Sequence, residues 1–199
     1  MTRVSVSGRS ARETSALRSE PVDGDLGDRA VPGAHQSRSL PVALLVAARP
    51  KQGVKNLLVF AAPGAAGVVD RSAAFAEATG AFVCFCLAAA GTYYLNDAAD
   101  IDADRRHPTK RFRPIAAGEI ALPLARVLGV VLIVASVAVG AAIEPNLAVV
   151  LACYVTLTTA YSTWLKHIAV VDVVAGAAGF VLRAIGGAAA VDVPISHRF

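Results

Sequence analysis

Four aspartates fall within eight positions at the start of Asn96–Gly118, NDAADIDADRRHPTKRFRPIAAG, directly after a long apolar run. At 100° per residue, Asp97, Asp100 and Asp104 lie within about 60° on one helical face, with Asn96 at its edge and Asp102 pointing away. Carboxylates crowded on one face beside a low-dielectric membrane repel each other and stay ionised when a cation neutralises them. Oxygen-only ligands favour a hard ion, and Mg2+ characteristically keeps water and substrate phosphates in its shell. A Mg2+-bridged pyrophosphate is therefore a natural guest, and a solvated acidic turn is the bland alternative. Arg105, Arg106, Lys110, Arg111 and Arg113 follow at once. Arg suits two-pronged phosphate contact and Lys acts as a point charge, while both also anchor a membrane protein at its headgroups.

The elements that must carry this face are membrane segments. The chain has 199 residues, 55% hydrophobic and only 17% charged, with a mean hydropathy of +0.56. Soluble domains are about a quarter charged. Pro145–Leu165 holds no Asp, Glu, Lys or Arg, and as a helix it would measure roughly 31 Å, the thickness of a bilayer core. A soluble enzyme is excluded. So is a disulfide-stapled secreted domain, because Cys84, Cys86 and Cys153 all sit in apolar runs, where cysteine acts as a small buried hydrophobe.

Five spans are expected: Val54–Val69, interrupted by Pro63-Gly64, then Ala73–Leu95, Ile120–Ile143, Asn146–Leu165 and Ile168–Val191. Leu40–Ala48 is too short to span and suits the interface. Residues 1–40, with six Arg and five acids and no apolar periodicity, read as a disordered polar tail ahead of a helical membrane domain over 41–199. Arg49, Lys51 and Lys55, the 105–113 cluster, and Lys166 all fall on one side of this topology, which the positive-inside rule makes cytoplasmic. The odd span count and the abrupt end at Pro194–Phe199 suggest a C-terminally truncated chain.

Two charges lie inside the last segment. Asp172 and Arg183 share a face but stand roughly 16 Å apart, too far to pair. Asp172 can reach water near the cytoplasmic end. Arg183 is deeper, and an intramembrane cation of that kind lines a cavity, facing a phosphate or a helix carbonyl, or serves as a structural partner in the bundle.

The motif NDAADIDAD resembles the NDxxDxxxD signature of the UbiA superfamily of intramembrane prenyltransferases. RPKQGVKN (Arg49–Asn56), HPTKRFRPIAAG (His107–Gly118), YSTWLKHIAVVD (Tyr161–Asp172) and the GFVLRAIGG after it resemble its decaprenyl-phosphate phosphoribosyltransferase branch. The resemblance implies an all-α bundle of about nine transmembrane helices, about five of them in this chain, around a central cavity. It implies Mg2+-dependent transfer of a phosphoribosyl group from phosphoribosyl pyrophosphate to a polyprenyl phosphate such as decaprenyl phosphate. That reaction would supply cell-wall arabinan synthesis from the cytoplasmic face of the plasma membrane, with no nucleic-acid partner. Asp97, Asp100 and Asp104 would hold the metal, supported by Asn96. Tyr161 and Lys166 would lie across the cavity mouth, Lys166 beside the aspartates in the catalytic set. Lys51, Lys55, Arg113 and Arg183 would contact substrate phosphates. The family's second polar motif has no match here. Prenyl transfer to an aromatic acceptor, or a fragment or membrane scaffold without activity, are the competing expectations.

Overall fold

The computed structural model describes residues 38–165 and 169–192, all helix, turn and loop, with no strand among them. Residues 1–37 of the expected N-terminal tail, and Lys166, lie outside the described residues. Seven α-helices follow in order: α1 (Leu40–Ala48), α2 (Ala61–Ala65), α3 (Ser72–Ala99), α4 (Ile101–Arg106), α5 (Leu122–Ile143), α6 (Pro145–Ala160) and α7 (Ala169–Ala190). A 3-10 helix, Pro50–Phe60, joins α1 to α2, and a single π turn, Tyr161–Leu165, continues α6.

Four helices are long and apolar enough to cross a membrane: Ser72–Ala99, Leu122–Ile143, Pro145–Thr163 and Val173–Ala190. They match the last four expected spans to within a few residues. The first expected span differs. Val54–Val69 is no continuous α-helix: it is the second half of the 3-10 helix, the five-residue α2 and a turn past Gly67, whose φ is +65°. A 3-10 helix rises about 2.0 Å per residue against 1.5 Å for α, so Pro50–Ala65 still reaches about 30 Å. This narrow rod lies against α3 and α7.

Small residues set how closely the helices approach. A Cβ on Gly91 of α3 would come within 2.7 Å of the Gly129 carbonyl oxygen of α5, and one on Gly187 of α7 would overlap the Val59 carbonyl. Ser136 of α5, fully buried, donates to the Cys84 carbonyl of α3 at 2.7 Å. In lipid such close packing and interhelical hydrogen bonds replace the hydrophobic drive that holds a soluble bundle. The valines at 127, 130, 131 and 134 are exposed along α5, as a lipid-facing stripe requires.

Two apolar clusters result. One fills the bundle with Val59, Ala81, Phe85, Leu147, Leu151 and Tyr154. The other gathers Ala43, Ala47, Tyr94, Ala98, Ile115, Ile120 and Ala125 around the end of α3. The second cluster matters for the site, because it seats the basic segment 107–120 on α1 and α3. Tyr94 Oη donates to the Leu44 carbonyl at 2.7 Å. Arg38 Nη1 pairs with Glu119 Oε2 at 3.0 Å, and Gly118, at φ +80°, makes the turn that aims the chain into α5.

Candidate functional site at the end of α3

Asp97 sits in the last turn of α3, and the chain kinks at Asp100 (φ −89°, ψ 9°) before α4 begins. Hydrogen bonding runs on through the kink, from Asp100 N to the Asn96 carbonyl at 2.9 Å and from Asp104 N to the Asp100 carbonyl at 2.8 Å. The helical register therefore survives, which is why Asp97 and Asp104 emerge on one side while Asp102 is exposed. Both meet Arg113: its Nη1 donates to Asp97 Oδ1 at 3.1 Å and to Asp104 Oδ2 at 2.7 Å. Arg49 Nη2 donates to the same Asp97 Oδ1 at 2.6 Å. The acid side chains are 5% and 3% exposed, those of both arginines 30%. Each carboxylate is thus sheltered while the cations reach outward into a cavity of about 240 Å³ lined by Arg49, Asp97, Thr109, Phe112 and Arg113.

Arg49 was not expected as a site residue, only as a charge that orients the chain. It takes a left-handed conformation (φ 54°, ψ 57°) between α1 and the 3-10 helix. That turn sends its guanidinium over the Tyr93 ring, 4.6 Å from the centroid, as well as onto Asp97. The signal available in the sequence was Pro50, which disfavours right-handed helix at the residue before it and so ends α1 there. Ser162, also unanticipated, accepts from Asn96 Nδ2 at 2.8 Å and ties the π turn to the end of α3.

The remaining expected residues fall elsewhere. Lys55, Tyr161 and Arg183 line a second cavity of about 220 Å³ together with Tyr93 and Tyr154. Lys51 is exposed and borders a shallow cavity beside Arg49. Asp100 is half-buried at the kink. The side chain of Asp172, like Lys166, lies outside the described residues.

Among the described residues, no three His, Cys, Asp or Glu side chains gather into a group that could hold a metal ion as they stand. Two acids, Asp97 and Asp104, do converge, with one nitrogen of Arg113 at the point between them. The same fact is the fit test for a metal. Two carboxylate oxygens from different turns converge within 3.1 Å of one cationic atom, and an all-oxygen donor pair suits a hard divalent ion with substrate oxygens completing its shell. The residues fit Mg2+ provided the guanidinium gives way.

The described residues thus form a bundle of long apolar helices with sheltered acids and outward-reaching cations at the end of one of them. A model of the UbiA prenyltransferase family matches residues 57–198, and the chain belongs to that family. It is 46% identical over 178 residues to a decaprenyl-phosphate phosphoribosyltransferase of Mycolicibacterium smegmatis, covering 87% of this chain and 56% of that one. It is 45% identical over 165 residues to the enzyme of the same name from Mycobacterium tuberculosis, covering 81% and 55%. The chain thus spans a little over half the length of these curated relatives. The solved structure of a UbiA homolog from Archaeoglobus fulgidus, bound to DMAPP and Mg2+, superposes with a TM-score of 0.66 at 22% identity, covering 78% of this chain and 56% of that one. The expected fold class is borne out.

Proposed function

We propose that the protein transfers a phosphoribosyl group from phosphoribosyl pyrophosphate to a polyprenyl phosphate, with Mg2+ at Asp97 and Asp104, and Asp100 completing the acidic face. The observation that carries this reading is the convergence of Asp97 and Asp104 on one cationic point, flanked by outward-reaching arginines. The relatives' names support the choice of substrates. When bound, the metal would neutralise charge accumulating on the departing pyrophosphate.

The chain's own residues supply the rest. Asp97 and Asp104 would hold the cation, because both are sheltered and aimed at one point. Arg113 and Arg49, freed from the carboxylates, can turn their planar donors onto the diphosphate oxygens. The C1–O bond to pyrophosphate breaks with its electron pair leaving on pyrophosphate, and a new C1–O bond forms to the lipid phosphate. That nucleophile is already an anion, so no general base is required. Cations fixed around the leaving group act where charge develops, and stabilisation of that kind supplies most of the acceleration in many enzymes. Asn96, held by Ser162, keeps the start of the motif in register. The basic loops face the cytoplasm of a plasma membrane in this reading.

Membranes carrying the 199-residue chain, given labelled phosphoribosyl pyrophosphate and polyprenyl phosphate, test it. Label should enter the lipid phase with Mg2+ and remain aqueous with EDTA or with Asp97→Asn. Consumption of a polyprenyl diphosphate in its place would move the chain to the prenyl-transferring side of the family.

A further inference from the structure

Among the described residues, Arg183 is a charge in the bundle with no acid paired to it. It is 8% exposed within α7, and it enters no ion pair among the described residues. Neutral groups hold it. Its Nε donates to Asn56 Oδ1 at 2.7 Å, Nη1 to the Gly179 carbonyl at 2.6 Å and Nη2 to the Tyr154 hydroxyl at 2.9 Å. Asn56 is 1% exposed and turns its own amide onto Cys86 Sγ at 3.2 Å, so the group that orients the guanidinium is itself fixed. These contacts use three of the five N–H donors that a guanidinium carries. They orient the charge without neutralising it, and an uncompensated cation within a bundle marks a binding site more often than a structural one.

The cavity beside it adds a second cation, Lys55, and among the described residues no acid lines it. Its volume of about 220 Å³ is room for roughly seven water molecules at about 30 Å³ each, enough for a phosphate head. Two cations match a group bearing close to two negative charges, as a phosphate monoester does at neutral pH. A phosphodiester headgroup carries only one.

The stack of Arg49 on Tyr93 separates this cavity from the aspartates. Tyr93 lines the Arg183 cavity, and Arg49 lines the aspartate cavity. Both also border a third cavity of about 460 Å³ walled by Val54, Leu57, Phe82 and Leu87. Two oppositely equipped polar sites therefore flank one Arg–Tyr partition, with an apolar chamber touching it.

We infer that the Arg183 cavity is a second anion site, separate from the Asp97 site, and that its ligand is the phosphate monoester of an isoprenoid lipid whose first isoprene units occupy the chamber at Val54 and Phe82. The inference rests on the two-substrate reading above and assigns the acceptor's place in it. It requires no metal, since the charge is met by Arg183 and Lys55.

The test uses the full chain in phosphatidylcholine nanodiscs, with farnesyl phosphate as the probe, EDTA present, and farnesol and inorganic phosphate as competitors. Arg183→Gln should weaken farnesyl phosphate binding roughly tenfold to hundredfold, as loss of a charge-assisted contact does. Lys55→Met should weaken it several-fold, and because Lys55 is exposed, this variant decides the matter if Arg183→Gln fails to fold. Binding of phosphoribosyl pyrophosphate with Mg2+ should be unchanged in both variants and lost in Asp97→Asn. Unaltered farnesyl phosphate binding in Lys55→Met and Arg183→Gln overturns the inference, as does equal competition by farnesol. Inorganic phosphate competing as well as farnesyl phosphate overturns the lipid assignment. Arg183-dependent binding in a protein that does not bind phosphoribosyl pyrophosphate supports the acceptor site and overturns the donor reading.

Discussion

The end of α3 and the middle of α7 solve the same electrostatic problem in opposite ways. At the end of α3, two acids are sheltered and two arginines neutralise them from the more exposed side. In α7, one arginine is sheltered, and among the described residues an amide, a carbonyl, a phenol and the Phe180 ring meet it. In the proposed reaction the first arrangement would exchange its arginines for a metal ion and offer them to the donor's diphosphate. The second, which no acid neutralises among the described residues, would receive the acceptor's phosphate.

The comparison breaks most severely at Asp97. Asp97→Asn removes the charge that Arg49 and Arg113 share and leaves Arg113 paired with Asp104 alone. Removing one partner of a sheltered ion pair costs about 3–5 kcal/mol in fully buried cases and less here, where both arginines reach water. Loss of transfer by roughly a hundredfold or more is the expected readout in the labelled-donor assay, in line with removal of a group that stabilises transition-state charge. Equal activity in Asp97→Asn and the native chain would dissolve the distinction between the two regions.

Gly187→Ala comes next. Its methyl group would overlap the Val59 carbonyl and push the 3-10 helix off α7, costing about 1–3 kcal/mol as overpacking does. Asn56 sits on that 3-10 helix, so thermal unfolding should occur earlier and farnesyl phosphate binding should fall while Mg2+-dependent donor binding holds. A fall in both together would show that the regions are not independent.

Arg113→Gln sharpens the comparison in the other direction. It vacates the point between Asp97 and Asp104, so Mn2+, read by electron paramagnetic resonance without substrate, should bind several-fold more tightly than in the native chain. Tighter metal binding with weaker donor binding would assign Arg113 both parts of its exchange; weaker metal binding would remove it. The smallest effect belongs to Glu119→Gln, which breaks the pair with Arg38. With Arg38 29% exposed, the cost is at most about 1 kcal/mol, visible as a slight drop in unfolding temperature and restored by no change at Arg183.

Much of this was written in the residues. The apolar runs located four long helices because length and hydropathy are local properties that a bilayer reads directly. The spacing of Asp97 and Asp104 put them on one side because α-helical periodicity needs no partner, and even the kink at Asp100 left it intact. The deep charge of Arg183 left a cavity and a structural partner both open, and the fold gives it a cavity wall together with partners on Asn56, Gly179 and Tyr154.

What the tertiary structure alone decided was which charges meet. Arg49 and Arg113 stand 48 and 16 positions from Asp97, and no local rule links them. The left-handed turn at Arg49 and the apolar seat of Ile115 and Ile120 bring them to it. Val54–Val69 read as a short, flawed span because its 3-10 winding, which lengthens it, follows from packing against α3 and α7 rather than from propensity. Charge sign and helical phase are carried by each residue and its near neighbours, so the sequence determined them. Pairing is a property of distance in space, and only the fold sets that.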